Sequence, residues 1–245
     1  MRIGAQQQGA QDQEIAIPVG SVDVAGSLSV PAGARGIVVF AHGSGSGRFS
    51  VRNRAVAQAL LDAGFATLLI DLLTPAEEAE DLRTGRLRFD VRLLAERVIG
   101  AIDWLSGDGN GVLPSGLGDL PVGCFGASTG AAAALIAAAE RRERVSAVVS
   151  RGGRPDLAAN ALPRVIAPTL LIVGGNDPRV IELNRRARAL LVGESQLVIV
   201  PGAGHLFAEP GALERVAVLT RDWFLTHLAN CDRRRANRRT LTSES

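Results

Sequence analysis

The sequence predicts an α/β fold: a mostly parallel sheet of about eight strands with helices on both faces. Three observations carry that expectation. From residue 37 onward, apolar runs of strand length alternate with stretches of helical periodicity. The inner run Ile37–Ala41 is apolar throughout, and Ala66–Ile70 is nearly so, as strands covered on both faces are. The run 120–125 then passes through Gly126-Ala127-Ser128-Thr129-Gly130 into an alanine-rich stretch, 131–139, which reads as a strand, a tight turn and a closely packed helix.

Taken in order, 14–19 and 22–30 alternate apolar and polar residues around the turn at Gly20-Ser21, the pattern of an antiparallel strand pair at the sheet edge. A second turn at 32–36 leads to the strand Ile37–Ala41 and a flexible loop, His42-Gly43-Ser44-Gly45-Ser46-Gly47-Arg48. Val56, Ala57, Leu60 and Leu61 mark one face of a helix that Gly64 ends. Ala66–Ile70 is a buried strand closed by Asp71. The charged segment 72–89, with Pro75 and four acidic residues at 77, 78, 80 and 81, reads as irregular chain. Asp90 can cap a helix whose buried face is Val91, Leu94, Ala95, Val98, Ile102 and Leu105. A glycine-rich loop, 107–118, precedes the strand at 120–125. Further strands follow at 145–150, 169–173 and 196–200, and a helix over 212–228 closes the pattern. The reading is one domain over 14–229, with a flexible N-terminus at 1–13 and a basic flexible tail at 230–245.

Composition narrows the classes. Apolar residues at 47% suit a globular protein with a sizeable core. No apolar run approaches the roughly 18 residues that cross a bilayer, and residues 1–13 lack an apolar signal core, so a cytoplasmic protein without membrane partners is expected. Cys124 and Cys231 give neither a disulfide framework nor metal spacing, and Cys124 reads as a small buried hydrophobe. A net charge of +2 argues against a general nucleic-acid binder. All 27 basic residues are Arg, five of them in the tail at 233, 234, 235, 238 and 239, which reads as a solvated extension.

Chemistry gathers at the strand ends, where sites form in open parallel sheets. Ser128 sits in a turn that lifts its hydroxyl above the sheet, with glycines at 126 and 130 where side chains would collide. Asp177 follows 169–173 through Gly174-Gly175-Asn176, and His205 follows 196–200 through Pro201-Gly202-Ala203-Gly204. A serine hydroxyl is a weak nucleophile, so a histidine must take its proton as attack occurs. A carboxylate then holds the imidazole in the right tautomer and stabilises its charged form. The developing oxyanion needs fixed N–H donors. Thr129, at the positive end of the helix, supplies one, and Ser44 a second, with Gly45 the near alternative. Each assignment has a rival. Asp177 precedes Pro178 and suits a plain helix N-cap. Asp71 and Asp156 also lie near strand ends, and His42 is a second candidate base, read here as ordering its loop. His227 falls in the last turn of the final helix, where a cation suits the helix dipole.

The combination of the 42–48 loop, Gly126-Ala127-Ser128-Thr129-Gly130, Gly174-Gly175-Asn176-Asp177 and Gly202-Ala203-Gly204-His205 resembles the α/β-hydrolase superfamily, and within it the dienelactone-hydrolase-like proteins and small bacterial serine esterases. The resemblance covers 14–229. It implies an α/β-hydrolase fold without a large cap and a carboxylesterase using Ser128, Asp177 and His205 through an acyl-serine intermediate, with no metal or cofactor. Dienelactone hydrolases proper use a cysteine nucleophile, so Ser128 favours ordinary ester hydrolysis. Thioesterase, lactonase, amidase and acyltransferase chemistry share the machinery, and a non-catalytic ligand-binding protein on the same scaffold is the alternative of a different class.

The expected partner is a small ester with a short acyl group, because 151–167 is too short for a helical lid and leaves 72–89 as the other cover. Leu72, Leu73 and Phe89 are candidate pocket walls. Arg48, Arg151 and Arg154 either bind a substrate carboxylate in a bidentate pair or hold loops through ion pairs, and the second reading is preferred.

Overall fold

A computed structural model of the chain describes residues 12–107, 111 and 113–228. The expected N-terminal segment lies almost wholly outside these residues, as do Cys231, the arginine tail and part of the 107–118 loop. Among the described residues, eight strands form one sheet: β1 (Asp12–Val19), β2 (Val22–Ser29), β3 (Ile37–Ala41), β4 (Ala66–Ile70), β5 (Val122–Ala127), β6 (Val145–Arg151), β7 (Thr169–Gly174) and β8 (Ser195–Val200). Their spatial order is β1-β2-β4-β3-β5-β6-β7-β8. β1 and β2 form the expected antiparallel edge, β2 meets β4 antiparallel, and every later pairing is parallel.

Among the described residues, six α-helices accompany the sheet: α1 (Val51–Asp62), α2 (Pro75–Thr84), α3 (Val91–Ser106), α4 (Thr129–Glu140), α5 (Pro178–Leu190) and α6 (Ala212–His227). Successive strand residues point to opposite faces, so each inner strand supplies two cores. In β3, Ile37, Val39 and Ala41 join the cluster that includes α3 and α4, whereas Val38 and Phe40 join the one that includes α1 and α6. The alanines of α4 are nearly all fully buried, which lets that helix lie close on the sheet. Cys124 is buried in β5, and its surroundings push the thiol pKa up to about 12, a packing role. No helix among the described residues is long and apolar enough to cross a membrane.

The segment 72–89 is not irregular. It contains α2, opened by a capping box in which Thr74 and Glu77 each bond the other's backbone, with Pro75 in the first turn and Gly85 left-handed at the end. A short 3-10 turn, Leu87–Phe89, follows. Asp81 is the residue that α2 buries, so ion pairs hold it in place of an apolar stripe: Asp81 with Arg88, and Glu77 with Arg97 of α3.

The glycines of the elbow are required by close approach. A Cβ on Gly126 would overlap Ala131 and the Gly130 carbonyl, and one on Gly130 would overlap the carbonyl oxygens of Ala41 and His42 at the end of β3. Gly20, by contrast, is left-handed, at φ +62°, and has open space around it. Gly130→Ala is therefore expected to lower the unfolding free energy by roughly 3 kcal/mol or more, the range of severe overpacking. Gly20→Ala should lose about 1–2 kcal/mol, the cost of a left-handed L-residue. Urea denaturation of both variants checks this, and equal losses would contradict it.

Candidate active site

Ser128 follows β5 with φ 51° and ψ −118°, one of two non-glycine residues with positive φ among those described. Such a backbone is costly for an L-residue and persists only where its surroundings hold it. Here the Ser128 N–H donates to the Arg151 carbonyl at the end of β6 (3.2 Å), and its carbonyl accepts from Ala131 (3.1 Å) and Arg154 (3.0 Å). The turn is thus fastened on both sides, to its own helix and to the neighbouring strand's exit.

Asp177 and His205 come together across the exits of β7 and β8. His205 Nδ1 lies 2.8 Å from Asp177 Oδ2. A carboxylate can only accept, so Nδ1 carries the hydrogen, which in the neutral tautomer leaves Nε2 as the acceptor. The second carboxylate oxygen, Oδ1, accepts from Val180 N–H at 3.3 Å and caps α5. One oxygen of Asp177 thus caps the helix while the other faces the imidazole. Backbone bonds brace the pair, with Gly175 N–H on the Val200 carbonyl and Asn176 N–H on that of Ala203.

The His205 ring also stands over the elbow's anchor. Its Cε1, flanked by both ring nitrogens, would lie 3.6 Å from a Cβ on Gly152, the residue after the carbonyl that holds Ser128. Among the described residues no hydrogen bond joins the Ser128 hydroxyl to the ring, a contact that often tightens when substrate binds. The ring is 40% exposed, so it is open to a ligand. The competing carboxylates are engaged elsewhere. Asp71 accepts from the Arg48 backbone and pairs with its guanidinium, and Asp156 pairs with Arg154.

The loop after β3 packs on the serine, a Cβ on Gly43 being 3.1 Å from Ser128 Cβ. Ser44 Oγ bonds Thr129 Oγ1 at 3.0 Å, which places the two candidate oxyanion residues side by side, and it reaches the Arg88 carbonyl at 3.3 Å. Thr129 opens α4, so its N–H has no carbonyl within the helix to meet. A cavity of about 640 Å³ begins here, walled by Gly43, Ser44, Thr129, Leu72, Leu73 and Leu82, with Arg48, Asp71, Glu78, Asp81 and Arg88 as its charged part. Leu72 and Leu73 line this cavity. Phe89 does not: it is 59% exposed at the end of the 3-10 turn, and Arg88 takes the cavity side. Arg48 and Arg154 form ion pairs, as preferred, but Arg151 forms none among the described residues.

His42 fixes this loop. Its Nδ1 donates to the Gly43 carbonyl and its Nε2 accepts the Leu72 N–H, both at 2.9 Å, an arrangement only the neutral ring satisfies. Burial pushes its pKa below the usual histidine value, outweighing the opposite pull of Asp71 and Glu78. Below a pH of about 6.5 the unfolded chain takes up a proton that the folded chain refuses, so this contribution to stability is present above that pH and lost as pH falls through the window. Unfolding free energy should drop with a slope of up to about 1.4 kcal/mol per pH unit from this one ring. Denaturation curves between pH 5 and 7 should show a shallower slope in His42→Gln; coincident slopes would contradict the assignment.

Comparison with known proteins agrees with this architecture. Residues 24–225 match the model of the dienelactone hydrolase family. The solved structure of a dienelactone hydrolase from Anabaena variabilis is 57% identical, covers 90% of this chain and 100% of its own, and superposes with a TM-score of 0.86. Est1E from Butyrivibrio proteoclasticus, at 15% identity, 87% and 98% coverage and a TM-score of 0.70, shares the fold. Two proteins of Mycobacterium tuberculosis whose given names suggest a phosphoribosyl transferase are 58% identical over 218 residues, 89% of this chain and 47% of theirs. The chain thus spans about half the length of those relatives. With its eight-stranded sheet, its elbow and the family match running through nearly all of both, the chain belongs to the dienelactone hydrolase family.

Proposed function

We propose that the chain is a serine hydrolase that cleaves small carboxylic esters. The observation that carries this reading is the Asp177–His205 hydrogen bond at the carboxyl rim of the sheet, its ring over Gly152, next to the carbonyl that holds the strained Ser128. Ser128 Oγ attacks the ester carbonyl while its proton passes to His205 Nε2, and the imidazolium that forms is stabilised by Asp177. The Thr129 and Ser44 N–H groups receive the oxyanion. Collapse expels the alcohol, which takes the proton from His205; a water then repeats the sequence on the acyl-serine and frees the acid. Leu72, Leu73 and Leu82 offer an apolar wall for a short acyl or alkyl group. The transferase names belong to proteins of which this chain spans 47%, whereas the hydrolase reading has a set of residues behind it.

Two substitutions separate catalysis from folding. Asparagine is as good an N-cap as aspartate, so Asp177→Asn should leave stability within about 0.5 kcal/mol. It should still lower kcat on a neutral aryl acetate by about 10²–10⁴-fold, because the amide favours the wrong imidazole tautomer. Ser128→Ala should lose at least about 10³-fold. Steady-state kinetics with thermal melts checks both; wild-type turnover that survives Ser128→Ala would sink the proposal.

A further inference from the structure

Arg151 is 93% buried by its 7% relative exposure, and its Nε and Nη1 are sealed from solvent without a hydrogen-bond acceptor. Other arginines differ. Arg48 pairs with Glu14 and Asp71, Arg88 with Asp81, Arg97 with Glu77 and Arg154 with Asp156. Around Arg151 the nearby charge is a second guanidinium, that of Arg52 in the first turn of α1, whose own Nε is also buried without a partner. Burial and this like charge push the Arg151 pKa down to about 10. An unpaired buried cation beside another is unfavourable unless something completes it.

The position says what that something does. Ala147 and Val149 of β6 belong to the core on the α1 and α6 face, and by strand alternation Arg151 points the same way, toward the helix that carries Arg52. Its own carbonyl holds the Ser128 N–H, and Gly152 after it faces the His205 ring. We propose that Arg151 and Arg52 form an anion site beside the elbow that takes the phosphate group of an ester substrate. Two cationic groups and at least three free N–H donors match a dianion with three acceptor oxygens better than a single carboxylate. Arg52, half-buried, forms the solvent side of the site. The role as a substrate anchor rests on the hydrolase reading; the anion site itself does not.

Thermal melts of the full chain in sodium phosphate and in sodium chloride of equal ionic strength test the site without any turnover. Phosphate at about a hundredfold over its Kd should raise the wild-type midpoint by roughly 5–10 °C. Arg151→Met and Arg52→Gln should both lose that shift. In chloride, Arg151→Met should melt at or above wild type, since it removes a buried unpaired charge; a structural prop would instead melt well below. No phosphate shift in wild type, a shift retained in both variants, or a larger shift with acetate than with phosphate overturns the proposal. In kinetics, Arg151→Met should lower kcat/KM on a phosphate-bearing ester relative to a neutral one by roughly 10- to 100-fold. Wild type that hydrolyses neither ester sinks the hydrolase reading, and the melts still decide the anion site.

Discussion

The positive φ of Ser128 is the constraint on which the rest of the site depends. A side chain in that conformation stands clear of the sheet, but the backbone must be forced into it. Three attachments do so: the bond from Ser128 N–H to β6, the seating of α4 against the exit of β3 through Gly130, and the contact of Gly43 with the serine Cβ. The parallel sheet supplies all three because β3, β5 and β6 are adjacent and end at the same rim. Strain at Ser128 is thereby offset by the packing of two alanine-rich and valine-rich layers.

Electrostatics around the rim follow a division of labour. Two carboxylates of the cavity are tied to arginines, Asp71 with Arg48 on the loop and Asp81 with Arg88 on the turn after α2, and together with Glu77 on Arg97 these ties hold the covering segment in place. Asp177 is arranged differently, with one oxygen capping α5 and the other on the imidazole. His42 remains neutral and serves as a hydrogen-bonded strut between the loop and Leu72. Arg151 and Arg52 break the pattern, having no ion-pair partner among the described residues, and the carbonyl of Arg151 is itself the elbow's anchor.

Most of the sheet was legible because its inner strands are largely apolar runs and its edge pair alternates. The elbow was legible because glycine, serine and alanine have steric reasons to stand where they do. α2 was harder to see. Its start signal, Thr74-Pro75-Ala76-Glu77, is in the sequence, yet the helix buries no apolar stripe, so periodicity passes over it. Which side of the 87–89 turn faces the cavity depends on Asp81 drawing Arg88 inward, and that leaves Phe89 outside. The isolation of Arg151 could not be read at all, since it depends on which distant residues lack a carboxylate. Arg52 carried no signal of its own and emerges only as the neighbour of Arg151.

The central claim is that Ser128 is a nucleophile made reactive by His205. Reaction with a fluorophosphonate probe, read by intact mass and by peptide mapping, addresses it directly, because such reagents phosphonylate an activated serine. The account predicts one adduct per chain, on Ser128, formed at least about 10³-fold more slowly when His205 is replaced by alanine. An unlabelled wild type, or an adduct on any other residue, would contradict it.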